Sequence, residues 1–326
     1  MILDVVAHLP VPEPSLLQIG ALPRTVAAHD AHAAKIPALN LIECGGLAAE
    51  GPLVFPIRVA AWNLERCLFL KASSDALSGA DIVLLSEMDD GMARTGQHHG
   101  TAEIAASLGM RYIYAVEFLE LGLGSPIERD FCRDDHNAKG FHGNALMAMT
   151  HLRQPFALRL EGHRQWFSDP EQPRLGERVA VGAVVATETG PLLAISTHLE
   201  SACPAAHREA QMAGLIKMID QSFPGLPVVI GGDLNTGNHA GGDWRGEGLF
   251  VVARSAGFTA HGGPEETPTT RPSLLTRFPD RAMKLDWFLT RGLILGETTI
   301  HSSLGPDGTP LSDHDRIETT ILGFAS

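Results

Sequence analysis

PVVIGGDLNT, residues 227–236, is an apolar run that stops abruptly at Asp233 and Asn235. Val228, Val229 and Ile230 are β-branched and crowd a helix, so the run reads as a strand. Apolar residues in unbroken succession mark a buried or half-buried strand. Gly231 and Gly232 stand just where the polar residues begin. An acid and an amide at such a position form either a simple turn or the rim of a site.

The same pattern recurs on both sides. IRVAAWN (57–63), DIVLLSE (81–87), GNALMAM (143–149), RVAVGAVVAT (178–187), LLAISTH (192–198) and LDWFLT (285–290) are short apolar runs flanked by polar residues. Each reads as a buried or half-buried strand. The runs at 178–187 and 191–198, joined at Thr-Glu-Thr-Gly, read as an antiparallel hairpin. Helical stretches lie between strands at TAEIAASLG (101–109), 204–221 and 246–257. Mixed strands with interspersed helices predict two packed sheets with helices outside, an α/β class. Pro- and Gly-rich stretches at 119–141, 161–176 and 260–284 are expected as surface loops.

Residues 1–55 look different. Prolines at 10, 12, 14, 23, 37 and 52 interrupt them, with one helical stretch at 24–35 carrying His29 and His32 on one face. This segment is expected as an N-terminal extension that packs on the domain or on a partner, with a catalytic domain over 56–326.

The formal charge is −13. Long nucleic acid gripped without sequence preference calls for a basic surface, so the balance argues against a processive or genome-binding enzyme. It leaves nuclease chemistry open, because carboxylates that hold metal ions are themselves acidic. Cys44, Cys67, Cys132 and Cys203 show no Cys-x-x-Cys spacing, which fits reduced thiols in a cytoplasmic protein and gives no zinc-finger pattern. The start, MILDVVAHLP, lacks a basic n-region, and no apolar run is long enough to span a membrane.

The chemistry collects at the strand ends. Asn63 and Glu65 close the first strand, Glu87 the second and His198 the run LLAIST; Asp286 opens DWFLT, and Asp313 and His314 precede a final strand. If two sheets bring these ends together, they form one acidic pocket. Such a cluster repels itself unless a hard cation is bound, and oxygen ligands without cysteine-rich spacing favour Mg²⁺ or Mn²⁺, one or two ions, over zinc.

WNLE (62–65), SEMD (86–89), THLES (197–201), GGDLNT (231–236), LDWFL (285–289) and SDHD (312–315), in that order, resemble the motif set of the endonuclease/exonuclease/phosphatase superfamily, the DNase I-like phosphoesterases. The resemblance spans about residues 57–322. It implies a four-layer α/β/β/α sandwich of two mixed, largely antiparallel sheets flanked by helices, and a metal-dependent phosphoric ester hydrolase. By the same resemblance Glu87 is the principal metal carboxylate, with Glu65, Asn63 and Asp313 completing the shell directly or through water. Asp233 and Asn235 orient the attacking water and hold a phosphate oxygen, with Asp233 the favoured general base. His314 contacts the scissile phosphate, and Asp286 fixes its tautomer and favours its charged form. His198 stands opposite, as a phosphate contact or as proton donor to the leaving group.

Other residues keep two readings. Arg94, with His98 and His99, reaches a substrate phosphate or a second metal, or else belongs to a loop capping the following helix. Asn144 is a substrate contact or a strand-start amide. Arg245, with His239 and Trp244, holds an anionic group with an organic body, or packs in its loop. His29 and His32 read as structural, and Arg208, Gln211 and Leu215 as packing and surface. Lysine is scarce, at 35, 71, 139, 217 and 284. A small phosphodiester or other small phosphoester is therefore the expected substrate. DNA or RNA cleavage by the same residues is the alternative, disfavoured by charge. A silent binding protein is the third reading, disfavoured because every expected ligand is present. No membrane partner is expected.

Overall fold

A computed structural model describes the chain except for residues 18–21, 240, 277–281 and 326. Among the described residues, ten strands form one sheet and six another. The middle of the larger sheet is Arg111–Glu120, Phe141–Ala148, Ile82–Asp90, Ile57–Arg66 and Arg316–Phe324, in that spatial order. The smaller sheet runs from Thr259–His261 through Asp286–Arg291, Val228–Asp233, Gly190–His198 and Val179–Thr187 to Leu152–Arg159.

The two-residue period of the strands sorts side chains between layers. Ile57, Val59 and Ala61 meet Val181, Ala183 and Val229 in a core between the sheets. Ala60, Trp62 and Leu64 point the other way, into a core shared with Ile104 and Ala105 of the helix Gly100–Leu108. Leu193, Ile195, Val228 and Ile230 pack against Met212, Leu215 and Ile219 of the helix Ala205–Ser222. Helix, sheet, sheet and helix thus form the expected sandwich, and burial on both faces explains why the strand runs lack alternation.

The hairpin of Val179–Thr187 and Gly190–His198 is antiparallel. Gly190–His198 and Val228–Asp233 pair in parallel, and so do Ile57–Arg66 and Ile82–Asp90. Parallel neighbours end on the same side, so the polar residues that terminate them gather at one end of the sandwich. Gly232 sits at φ 143°, and a Cβ there would lie 2.0 Å from the carbonyl oxygen of Thr197. A side chain at that position is incompatible with the strand pairing that precedes Asp233.

Residues 1–55 contribute strands of their own. Val5–Val6 pairs in parallel with Ile42–Gly46, which pairs antiparallel with Arg111–Glu120. Leu9, Ile36, Ala38 and Leu39 are buried in the helix-side core. His32 bonds the carbonyl of Leu16 at 2.8 Å, and His29 accepts from the Gly176 amide at 3.0 Å. Of the expected loops, 119–141 contains the short helix Pro126–Arg129, and 161–176 contains the strand Arg174–Gly176. The portion of the 260–284 loop at 277–281 lies outside the described residues. No described helix is long and apolar enough to cross a membrane.

Candidate active site

Register places the first residues. His198 lies opposite Asp233, and Asp233 opposite Asp286, on adjacent strands. The turn after the central strand is tied down locally. The Asn235 amide donates to Asp233 Oδ1 at 2.8 Å, and Asn235 Nδ2 to the Leu199 carbonyl at 3.0 Å. From the other sheet, Asn63 Nδ2 reaches Asp233 Oδ2 at 3.1 Å and Glu87 Oε1 at 3.3 Å, joining the motifs across the sandwich.

The segment around His314 is locked onto the strand Ile57–Arg66. The buried Trp62 indole donates to the His314 carbonyl at 2.7 Å, and Ser312 Oγ donates to the Asn63 carbonyl at 2.6 Å. The Asp313 amide donates to Glu65 Oε2 at 3.0 Å, and Ser273 Oγ donates to Glu65 Oε1 at 2.6 Å.

Backbone conformation is unusual at the same places. Glu65 has φ 42°, Arg66 77°, Glu87 58° and Asn235 52°, all left-handed. The central strands Ile57–Arg66 and Ile82–Asp90 are bulged there, with register shifts between Asn63 and Arg66 and between Leu85 and Met88. Bulges and left-handed residues redirect side chains that a regular strand would alternate between faces. They turn Glu65 and Glu87 toward a common cleft.

That cleft holds about 330 Å³. Glu65, Glu87, Asp233, Asn235, His198, Asp313 and His314 line it. Asn63 and Asp286 lie behind the wall and hold residues that form it. His314 Nδ1 is 2.8 Å from Asp286 Oδ2, and its Nε2 is 3.6 Å from Asp233 Oδ2. Burial opposes a charge on His314, but Asp286, Asp233 and Asp313 outweigh it and raise the imidazole well above its ordinary range. Burial, with the neighbouring charge of Asp313, pushes the Glu65 carboxyl up to about 9. Burial also lifts Asp313 to about 6, with Glu87 adding to the shift and His314 opposing it.

Arginines that the sequence reading left out also line the cleft. Arg66 Nη1 bonds Glu87 Oε2, and its Nε bonds Glu128 at 2.9 Å. Arg178 Nη1 bonds Glu117 at 2.5 Å and stands 2.8 Å from His198 Nδ1. Its guanidinium lies 5.4 Å from the Phe118 ring centre and 5.8 Å from that of Trp166. Burial opposes the Glu117 carboxylate, yet Arg178 holds it down at about 2. Arg271 forms the third, paired with Asp315. Below Glu87, buried His142 bonds Asp89 at 2.9 Å. The sequence signal for Arg66 was its adjacency to Glu65; Arg178 was hidden as the leading residue of an apolar run.

The remaining expected contacts stand apart from the cleft. Arg94 is 3% exposed, and its five N–H groups donate to Asp89, Glu120 and Glu128. It has no hydrogen left for a substrate, so its place is that of a buried counter-ion. Asn144 is fully buried and donates to the Val179 carbonyl at 2.6 Å. Arg245 is exposed and pairs with Glu265 and Glu266. His98 bonds Glu103 and His99 bonds Glu43, each at 2.6 Å. Trp244 packs on Phe250 and Trp287, and Arg208 is buried against Glu247.

The donor set suits a hard divalent cation: carboxylates with one amide, crowded enough to repel each other's charge. Among the described residues, ligand atoms of Asp233, Asp286 and His314 converge within 4.8 Å. Glu65, Glu87 and Asp313 are not drawn together in that way. A guanidinium stands on Glu87 instead.

A model of the Endonuclease/Exonuclease/phosphatase family matches residues 60–314. No curated protein matches the chain. The solved endonuclease/exonuclease/phosphatase from Beutenbergia cavernae DSM 12333 overlays with a TM-score of 0.57 at 15% identity, covering 83% of this chain and 72% of that one. The human Nocturnin catalytic domain with bound sulfate anion gives 0.55 at 17% identity, covering 87% and 97%. D. rerio TDP2 complexed with single strand DNA product gives 0.53 at 16% identity, covering 82% and 99%. Identities this low establish a shared fold.

Proposed function

The chain belongs to the endonuclease/exonuclease/phosphatase family, and we propose that it is a divalent-metal-dependent hydrolase of a small phosphodiester. One observation carries the reading: a single cleft gathers Glu65, Glu87, Asp233 and Asp313 with His198, His314, Arg66 and Arg178.

Glu87, Glu65 and Asp313, with Asn63 behind them, would hold Mg²⁺ or Mn²⁺ directly or through water, and the ion when bound supplies charge neutralisation at phosphate oxygens and a more acidic water. Asp233 is the proposed general base, positioned by the Asn63 amide. His314, kept charged by its carboxylate neighbours, supports the negative phosphoryl oxygens. Asn235 holds a phosphate oxygen with the Nδ2 hydrogen that Leu199 leaves free. His198 meets the substrate from the wall it shares with Arg178.

Size and charge support a small substrate. A cleft of about 330 Å³ is at the low end for ligand sites. The arginines sit inside it, paired with carboxylates, while the chain as a whole carries −13. The free cysteines suit a reducing compartment, and the cytoplasm is the proposed location.

The test is turnover of bis-p-nitrophenyl phosphate with Mg²⁺ or Mn²⁺, abolished in Glu87→Ala. Full activity without metal would sink the proposal. A plasmid and an abasic duplex belong in the same panel, because a protein of this fold, D. rerio TDP2, has been seen with a DNA product. Cleavage of either at low enzyme concentration moves the substrate to nucleic acid.

A further inference from the structure

Among the described residues, Arg66 is the guanidinium that hydrogen-bonds the carboxylate proposed to hold the metal, with His142 Nε2 farther off at 4.0 Å. Glu87 Oε2 accepts Arg66 Nη1, and Oε1 accepts Asn63 Nδ2, so both of its oxygens are already engaged. The guanidinium also has a second partner. Arg66 Nε donates to Glu128 Oε1 at 2.9 Å, and Glu128 is buried. Glu128 is itself held in place: the Ser125 amide donates to its Oε2 at 2.7 Å, and Arg94 Nη1 to its Oε1 at 3.0 Å. Of the five N–H hydrogens of Arg66, those on Nη2 make no hydrogen bond among the described residues, although the residue lines the cleft.

A guanidinium and a divalent ion on one carboxylate repel each other strongly at low dielectric. Glu128 offers Arg66 a place to remain paired when it leaves Glu87. We infer that Arg66 is an internal counter-ion of Glu87, displaced when a divalent cation binds there, and that the released guanidinium, still tethered by Glu128, takes a substrate phosphate oxygen. Arginine suits both tasks, because its planar fork pairs with carboxylate and phosphate alike. Metal occupancy and anion binding are thereby coupled: the cation that enters makes available the side chain that grips the substrate. This inference rests on the metal reading of the cleft given above.

Opposite signs distinguish it from a merely structural role. Removing Arg66 takes a competing charge off Glu87, so Mn²⁺ binds Arg66→Met about tenfold more tightly than wild type in calorimetric titration. Inorganic phosphate binds the Mn²⁺-loaded variant about tenfold more weakly than Mn²⁺-loaded wild type. Glu128→Gln leaves the guanidinium with Glu87 alone, and Mn²⁺ binding weakens. Mn²⁺ affinity unchanged or lowered in Arg66→Met overturns the inference, as does unchanged phosphate affinity. If those variants do not fold, a crystal structure of Mn²⁺-loaded wild type decides: Arg66 Nη1 beyond hydrogen-bond distance from Glu87 supports displacement, and an intact contact overturns it. Wild type that binds no Mn²⁺ brings down the metal reading together with this inference; Mn²⁺ bound beside an unmoved Arg66 brings down the inference alone.

Discussion

His314 Nδ1 lies 2.8 Å from Asp286 Oδ2, and both side chains are buried. The contact fixes the ring orientation and presents Nε2 to the cleft beside Asp233. Asp286→Asn keeps the shape but removes the charge. It is expected to lower kcat about 10–100-fold, the usual cost of losing a carboxylate behind a functional histidine. Histidine titration by NMR checks the cause: the His314 pKa falls toward its ordinary range in the variant. An unmoved His314 titration would show that Asp286 does not set its charge.

Trp62→Phe tests the anchoring of the same segment. The ring stays buried, but the donor to the His314 carbonyl is lost. A buried carbonyl left without its partner costs about 1–3 kcal/mol. The expected result is a lower urea midpoint with unchanged slope, together with reduced kcat. Loss of stability with full activity would mean that the bond holds the fold and not the site.

Arg94→Met separates two roles for a residue that the sequence places beside Glu87. Three carboxylates, Asp89, Glu120 and Glu128, surround this guanidinium in the interior. Removing it leaves buried charge uncompensated, at a cost of about 3–5 kcal/mol. The variant is expected to unfold at much lower denaturant. A stable variant with only KM raised would return Arg94 to the substrate.

Much of this architecture was legible in the chain. β-branched runs ending in Asn63, Glu87, His198 and Asp233 revealed both the strands and their shared polar end, because burial on both faces leaves only the strand termini free for polar groups. The arginines were harder to see. Low lysine content suggested little positive charge for a substrate, yet Arg66 and Arg178 are brought to the cleft by tertiary pairing with Glu87, Glu128 and Glu117. No periodicity marks a long-range ion pair. From sequence Arg94 is a substrate contact or a residue of a helix-capping loop, and its glycine-rich surroundings give no sign that three separated carboxylates enclose it. Ile42–Gly46 was missed for a related reason: two of its five residues are glycines, and its strand conformation comes from pairing with Arg111–Glu120.

Glu43, on that overlooked strand, makes an acid-sensitive tie. It accepts from His99 at 2.6 Å, the Leu9 amide at 2.7 Å and Tyr112 at 2.9 Å. Burial opposes its charge, but the His99 hydrogen bond and the other donors hold the carboxyl at about 2, against an ordinary 4.5. The lowered folded value means that the contribution is complete above the unfolded pKa and fades as pH falls from about 4.5 through about 2. Its size is about 3 kcal/mol. Urea unfolding across this window should show wild type losing stability more steeply than Glu43→Gln. Parallel curves would refute the assignment.

Glu65, Glu87 and Asn235 share left-handed backbone that glycine adopts freely and other side chains resist. Glycine at Glu65 or Glu87 would relax the backbone but take a carboxylate out of the cleft, so local comfort of the chain and the acidity of its pocket are set against each other at the same positions.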